Sequence, residues 1–365
     1  MVGQLRIAII GGCGLIGRRH CQHVFENTGT RLSAIVDPSP AARGVAETYE
    51  APLYASIQDM LNDQLRVDAA IVCTPNQTHV SLSEQLAKAG IHILCEKPIS
   101  SDVDTAIQLI RAARDHDIKL LIGHHRRFNP YILALKTQID SGALGSVTAV
   151  NALWTTVKPP EYFSGVNSWR SKKGRGGVVL INLIHDIDVL QYLFGPITRI
   201  HAEKTISRRS DREDAVEEGA ALTLRFLSGV VGTVLVSDAV SSPYSFEQGT
   251  GENPNLPRTG KDVYRVFGTK ATISFPDMLL SSYDSKEPAW TEEIVSRRMP
   301  VDDIDALPLV SQLNHFVKVC EGKEPPVCTG EEGLRALMVC QAINKALDSE
   351  VQGGTVDIDM MSSKL

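Results

Sequence analysis

Over the first third of the chain, short apolar runs at residues 32–36, 69–72, 92–95 and 119–123, and one opening at residue 5, alternate with helix-like segments at 41–49, 81–89 and 106–116. That alternation predicts a parallel sheet with helices on both faces. Past about residue 124 the period changes. Segments 147–153, 200–204, 219–226 and 230–236 alternate apolar and polar positions, as strands of a largely antiparallel sheet do. Ser228-Gly229, between the last two, marks a hairpin turn. Residues 178–194 read as an apolar helix, and 309–321 and 331–348 as amphipathic helices expected to pack back on the first domain. Residues 246–262, rich in Gly, Pro and Asn, interrupt the sheet as a long loop, which in a compact domain is a functional lid or else disordered. The expected fold is α/β: a doubly wound parallel sheet over 1–123, then an α+β domain with a large, mostly antiparallel open sheet over 124–365.

A chain of 365 residues is long enough for two such cores, and 43% hydrophobic with 22% charged residues is a globular composition. Its net charge of -6, from 43 acidic and 37 basic side chains without a long basic run, argues against a nucleic-acid partner. The longest later apolar stretch, 178–184, is broken by Asn182 and is too short to span a bilayer, so no membrane partner is expected. Seven cysteines form no C-x-x-C pair, which argues for reduced thiols inside a cell. Cys73 and Cys95 close apolar runs, where cysteine is most often a small buried hydrophobe. No cluster reads as a metal site, because nothing near His124-His125 completes a ligand set.

The densest chemistry follows the first apolar run, in Gly12-Cys13-Gly14-Leu15-Ile16-Gly17. Between a strand and a helix, the first glycine permits the turn, the second lets backbone approach a pyrophosphate, and the third lets the helix pack close. The helix N-terminus then receives the phosphate charge. Asp37 ends the second strand twenty residues after Gly17, where a carboxylate accepts hydrogen bonds from an adenosine ribose. It would repel a 2′-phosphate, and Pro38-Ser39-Pro40 brings no arginine, so NAD is expected over NADP; Arg43 keeps NADP possible.

Ligands in such sheets bind beyond the carboxyl ends of the strands, where two loops leave. Cys73-Thr74-Pro75-Asn76 is expected beside the ribose, and Glu96-Lys97-Pro98 is expected to set a charged pair at the crevice mouth. In the second domain Asn182, His185 and Asp186 fall at i, i+3 and i+4, on one face of the apolar helix near its start.

In order, the glycine loop, Glu96-Lys97-Pro98, Gly123-His124-His125-Arg126-Arg127-Phe128-Asn129-Pro130, Trp169-Arg170 and the Gly174-Arg175-Gly176-Gly177 loop before His185 resemble the Gfo/Idh/MocA oxidoreductases. That is the family of glucose-fructose oxidoreductase and inositol dehydrogenase, and the resemblance covers nearly the whole chain. It implies a Rossmann domain binding NAD or NADP and a second domain carrying the substrate. The implied reaction is hydride transfer between nicotinamide and a hydroxyl or carbonyl carbon of a sugar, an inositol or a related small polyol.

By that resemblance Lys97 matches the lysine at the reacting oxygen and His185 the histidine that relays its proton. The implied cofactor residues are Gly12, Cys13, Gly14, Leu15, Ile16, Gly17, Asp37, Cys73, Thr74, Pro75, Asn76, His79, Glu96, Lys97 and Arg126. Those implied for substrate are Lys97, His125, Trp154, Tyr162, Trp169, Asn182 and His185. One departure stands out. The family pattern Asp-x-x-x-His would put a carboxylate at position 181, but this chain has Ile181 followed by Asn182. An amide cannot hold the proton that a carboxylate takes, which leaves His185 alone or with Asp186, or the chemistry mainly to Lys97.

A non-catalytic NAD(P)-binding sensor on the same fold is the rival reading, and the presence of both Lys97 and His185 weighs against it. A homo-oligomer, dimer or tetramer, is also implied by the resemblance. The last three residues, Ser363-Lys364-Leu365, form a peroxisomal address in a eukaryote; otherwise a cytoplasmic protein is expected.

Overall fold

The protein is described by a computed structural model over residues 3–174, 176–209, 216–285, 289–349 and 353–359, with only the backbone of Val166. Arg175 and Ser363-Lys364-Leu365 lie outside the described residues. Two compact units result, one running to Phe128 and including Leu307–Leu337, the other Asn129–Ala306 and the described residues from Met338 to Asp359.

The first unit is built on six strands: β1 (Leu5–Ile10), β2 (Thr30–Val36), β3 (Leu53–Tyr54), β4 (Ala69–Val72), β5 (His92–Cys95) and β6 (Leu120–Ile122). They pair in parallel in the order β3-β2-β1-β4-β5-β6. The connecting helices are α1 (Leu15–Glu26), α2 (Ala42–Thr48), α3 (Ile57–Asn62), α4 (His79–Lys88) and α5 (Val103–Asp115). Strands buried on both faces are apolar throughout, which is why Ile7, Ile9, Ile35 and Ile71 have no exposed surface. The order reverses between β1 and β4, so their carboxyl ends frame the crevice of a doubly wound sheet. β3 and α3 were not anticipated: a two-residue strand is too short to show a period, and α3 begins only at its Ser56 cap, which accepts from the Asp59 amide.

The second unit opens with α6 (Pro130–Asp140), capped by the Asn129 side chain, which accepts from the Tyr131 amide at 3.0 Å. Its nine-stranded sheet comprises β7 (Val147–Thr155), β8 (Ile197–Lys204), β9 (Gly219–Phe226), β10 (Val231–Ser237), β11 (Tyr264–Gly268), β12 (Ala271–Phe275), β13 (Leu279–Tyr283), β14 (Ile294–Arg298) and β15 (Gly353–Asp357). The order is β14-β13-β12-β11-β7-β10-β9-β8-β15, with β7 and β10 parallel and the other recorded pairs antiparallel. Leu222, Leu224, Val234 and Val236 point into the core while Thr223, Thr233 and Leu235 alternate outward. The expected hairpin is present: the Gly229 amide donates to Phe226, and Gly229 takes the positive φ of 92° that such a turn asks of glycine.

Two expectations are revised here. Residues 178–194 are not one α-helix. Val179–Leu183 form a π-helical turn that runs into α7 (Ile184–Phe194). A π-turn holds more residues than an α-turn, so the spacing from Asn182 to His185 is not that of a regular α-helix. The loop at 246–262 also carries structure, a short helix α8 (Phe246–Thr250) capped by Ser245 and ended by left-handed Gly251.

Near the C-terminus, α9 (Pro308–Cys320) sends Leu313, Phe316 and Val319 into the core of the first unit beside Ile7 and Ile9. α10 (Gly330–Leu347) starts with Gly330 and Gly333 against that unit, where a Cβ would meet Ile110 at 2.8 Å and Ile122 at 2.6 Å. Among the described residues no helix is long and apolar enough to cross a membrane, and no group of three His, Cys, Asp or Glu could hold a metal ion.

Candidate functional site

The turn after β1 depends on a glycine one position earlier than expected. Gly11, with φ 88°, makes the left-handed turn, and it packs on the loop after β4, where its Cβ would meet Thr74 at 2.9 Å. Gly12 is needed for space instead, since Ile35 would stand 2.6 Å from its Cβ. Gly17 brings α1 onto the turn: its Cβ would lie 2.1 Å from the Gly11 carbonyl oxygen. Gly14 is different, with nothing nearer than 3.6 Å and no side chain capping the helix it begins. Amide groups of the first turn of α1 are thus left to an anion, and Leu15 beside them is exposed.

Asp37, buried at the end of β2, is aimed by two backbone donors. Its Oδ2 accepts from the Cys13 amide at 3.0 Å and its Oδ1 from the Ser39 amide at 2.9 Å. A fixed carboxylate at this point suits a ribose diol and repels a 2′-phosphate, and Arg43 is exposed. NAD is therefore expected to exceed NADP in kcat/KM by roughly tenfold or more, with Asp37→Ser narrowing the ratio. Steady-state kinetics with both cofactors checks this, and a preference for NADP would contradict it.

The two crevice loops are tied together by His79. Its Nδ1 lies 2.8 Å from the Pro98 carbonyl oxygen and its Nε2 2.8 Å from that of Thr74. Burial pushes its pKa down, and a neutral ring donates to one of these oxygens at a time. Cys73 is buried, Pro75 leads into a 3₁₀ turn over Asn76–Thr78, and Lys97 is half-buried. The charged pair expected at the crevice mouth is divided. Glu96 turns inward and accepts from His20 Nε2 at 2.9 Å, beneath Gly123, whose Cβ would meet the carboxyl at 3.0 Å. Burial alone would raise the Glu96 pKa, but the hydrogen bond and charge of His20, with His125 and Lys97, hold it below the usual value. His20 was missed in the sequence, where a histidine within R-R-H of a helix gives no sign that it faces the sheet. Arg126 is buried; its neighbour Arg127 donates to the Val327 carbonyl at 2.6 Å and pairs with Glu332 at 2.8 Å.

In the second unit Asn182 and Asp186 have different partners. His185 is buried in the first turn of α7, and Asp186 accepts from the Tyr264 hydroxyl. Asn182, on the π-turn, accepts at its Oδ1 from Lys158 Nζ at 2.5 Å. That lysine was not anticipated, since one lysine before Pro159-Pro160 carries no period or motif. Its Nζ lies 4.2 Å from the Tyr162 ring centroid and 5.3 Å from that of Trp154. Trp154 is buried and donates its indole N–H to Glu247 at 3.0 Å, and Trp169 is partly exposed beside Arg170.

The loop before His185 rests on two glycine positions. A Cβ at Gly176 would meet the Arg170 carbonyl oxygen at 2.0 Å, and one at Gly177, with φ 95°, would meet Glu217 Oε1 at 2.2 Å. That Glu217 oxygen accepts from the Val179 amide at 2.9 Å, at the start of the π-turn. Burial pushes the Glu217 carboxyl from 4.5 up to about 7. A raised carboxyl favours folding when protonated, so its contribution is whole below about pH 4.5 and is lost as pH rises through about 7. Glu217→Gln keeps the acceptor without the charge. It should add roughly 2 kcal/mol of stability at pH 8 and little at pH 5, read by urea unfolding at both. Equal effects at the two pH values would refute the assignment.

Most of the chain matches one family. Residues 5–124 match the oxidoreductase family with an NAD-binding Rossmann fold, and residues 136–356 match the C-terminal alpha/beta domain of that oxidoreductase family. The chain is 28% identical over 242 residues to an inositol 2-dehydrogenase of Rhizobium meliloti, covering 65% of this chain and 69% of the relative. It is 25% identical over 364 residues to a myo-inositol 2-dehydrogenase of Thermotoga maritima, covering 95% and 97%. An oxidoreductase from Agrobacterium radiobacter, solved with NAD+, L-tartaric acid and magnesium, shares the fold at a TM-score of 0.80 and 18% identity, covering 98% of this chain and 100% of that one.

Proposed function

Since the chain belongs to the Gfo/Idh/MocA oxidoreductase family, we propose that it oxidises or reduces a CH–OH carbon of a sugar, an inositol or a related small polyol, with Lys97 and His185 handling the proton. It is an NAD(P)-dependent oxidoreductase whose first unit is an NAD-binding Rossmann domain. The observation that carries the reading is the open cradle at Gly14 with Asp37 aimed across it, a receptor for pyrophosphate and ribose together. Nicotinamide, when bound, supplies the hydride acceptor or donor.

The chain's own groups supply position and charge. The amides at the start of α1 hold pyrophosphate, Asp37 holds the ribose, and the loops joined by His79 fix the cofactor's other end. The ammonium of Lys97 stabilises alkoxide charge as it develops, in either direction. His185 takes or returns the hydroxyl proton, a task suited to an imidazole at neutral pH. Proton exchange is assigned to His185, next to Asp186, which accepts from the Tyr264 hydroxyl. The inositol dehydrogenases among the relatives support a cyclic polyol as the first substrate to try.

Purified protein given NAD with a panel of inositols, aldoses and alditols tests the reading through reduced-nicotinamide absorbance. Reduction with at least one of them is expected; NAD binding with none reduced would favour a sensor. A dimer or tetramer through the outward face of the nine-stranded sheet is proposed alongside, and a monomer by light scattering would contradict it.

A further inference from the structure

Resting on the oxidoreductase reading above and narrowing it, we propose that the second unit binds a substrate bearing a carboxylate, which Lys158 and Arg170 hold beside Tyr162. Both cations are half-buried and share that ring: Lys158 Nζ is 4.2 Å and the Arg170 guanidinium carbon 4.0 Å from its centroid. Their only polar partners among the described residues are neutral oxygens, Asn182 Oδ1 for Lys158 and the Tyr162 carbonyl, at 3.1 Å, for Arg170.

The nearby acids are committed elsewhere. Asp238 pairs with Arg209 at 2.5 Å, Glu218 lies 3.6 Å from the same guanidinium, and Glu247 accepts from Trp154. Two partly desolvated cations with no carboxylate of their own are costly to hold, and a bound anion offsets that cost. Asn182, in the π-turn, lies three residues before His185, in the first turn of α7, on one continuous helical segment. The rings of Trp154 and Tyr162 both face the Lys158 ammonium and help to hold it in place.

Charge also selects among anions. Asp238 and Glu247 act on Lys158 at longer range and oppose a dianion such as a phosphate ester more than a monoanion. Burial brings the Lys158 pKa down to about 8, with Arg170 and Arg209 pushing the same way against those two acids. A carboxylate partner reverses that shift and keeps the ammonium charged.

The test compares glucuronate with glucose, galacturonate with galactose, gluconate with glucitol, and glucose 6-phosphate, by NAD reduction in the wild type, Lys158→Gln, Arg170→Gln and Lys158→Arg. Thermal melts confirm that each variant is folded. At least one acid should exceed its neutral partner about tenfold or more in kcat/KM, chiefly through KM. That ratio should fall about tenfold in each Gln variant and partly return in Lys158→Arg. Neutral or phosphorylated sugars used as well as the acids, or an unchanged ratio in both Gln variants, would overturn the proposal. If no compound reduces NAD, the polyol reading has failed, and calorimetric titration of the acids into the protein–NAD complex still decides. Binding weakened by Lys158→Gln supports the clamp, and no binding to the wild type refutes it.

Discussion

Lys97→Met and His185→Ala should each lower kcat by roughly 10²–10⁴-fold while NAD still binds. The lysine leaves β5 through a loop whose other charged member, Glu96, is turned inward onto His20. Its backbone is held on both sides, by the Cys95 strand and by the Pro98 carbonyl on His79, so removing the ammonium should leave the loop in place. His185 sits in the first turn of α7, between a π-turn anchored on Glu217 and an Asp186 anchored on Tyr264. Deleting the imidazole therefore removes a proton carrier from a segment fixed by other contacts. Fluorescence titration with NADH separates binding from turnover in both variants. Near-normal kcat in either would remove that residue from the chemistry.

The second large effect separates two glycines of one loop. Gly17→Ala would press a methyl to 2.1 Å from the Gly11 carbonyl oxygen and 3.0 Å from the Gly12 Cα, backbone atoms with nowhere to go. Gly11 is already in the left-handed region, and Gly12 is pinned by Ile35. Overpacking of this kind should cost roughly 3 kcal/mol and weaken NAD binding as the turn distorts. Gly14→Ala meets nothing within 3.4 Å, so its fold should survive, while the methyl occupies the approach to the cradle and weakens NAD binding alone. Urea unfolding and NAD titration on both variants check the split; equal stability losses would show that the loop is not packed this way.

Much of this was legible because burial on two faces leaves a mark on sequence. β4 and β5 are near-continuous apolar runs, and the hairpin of β9 and β10 announces itself by alternation and by Ser228-Gly229. The glycine loop and Asp37 were legible through spacing, although which glycine makes the turn was not, because Gly11 and Gly12 are adjacent and only φ distinguishes them. What escaped the sequence is what depends on contacts far along the chain. The inward turn of Glu96 needs His20, 76 positions away, and Lys158 finds Asn182 across 24 positions. The π-turn escaped for another reason: its residues have the same apolar character as an α-helix, and only the hydrogen-bond register differs.

Direct transfer of hydrogen from substrate to nicotinamide is the most immediate measure of the account. A polyol that the enzyme turns over, deuterated at the reacting carbon, should deliver its deuterium to the cofactor, detected by mass spectrometry, with a primary isotope effect on NAD reduction. Recovery of unlabelled reduced cofactor from the deuterated substrate, or deuterium transfer undiminished in Lys97→Met and His185→Ala, would contradict it.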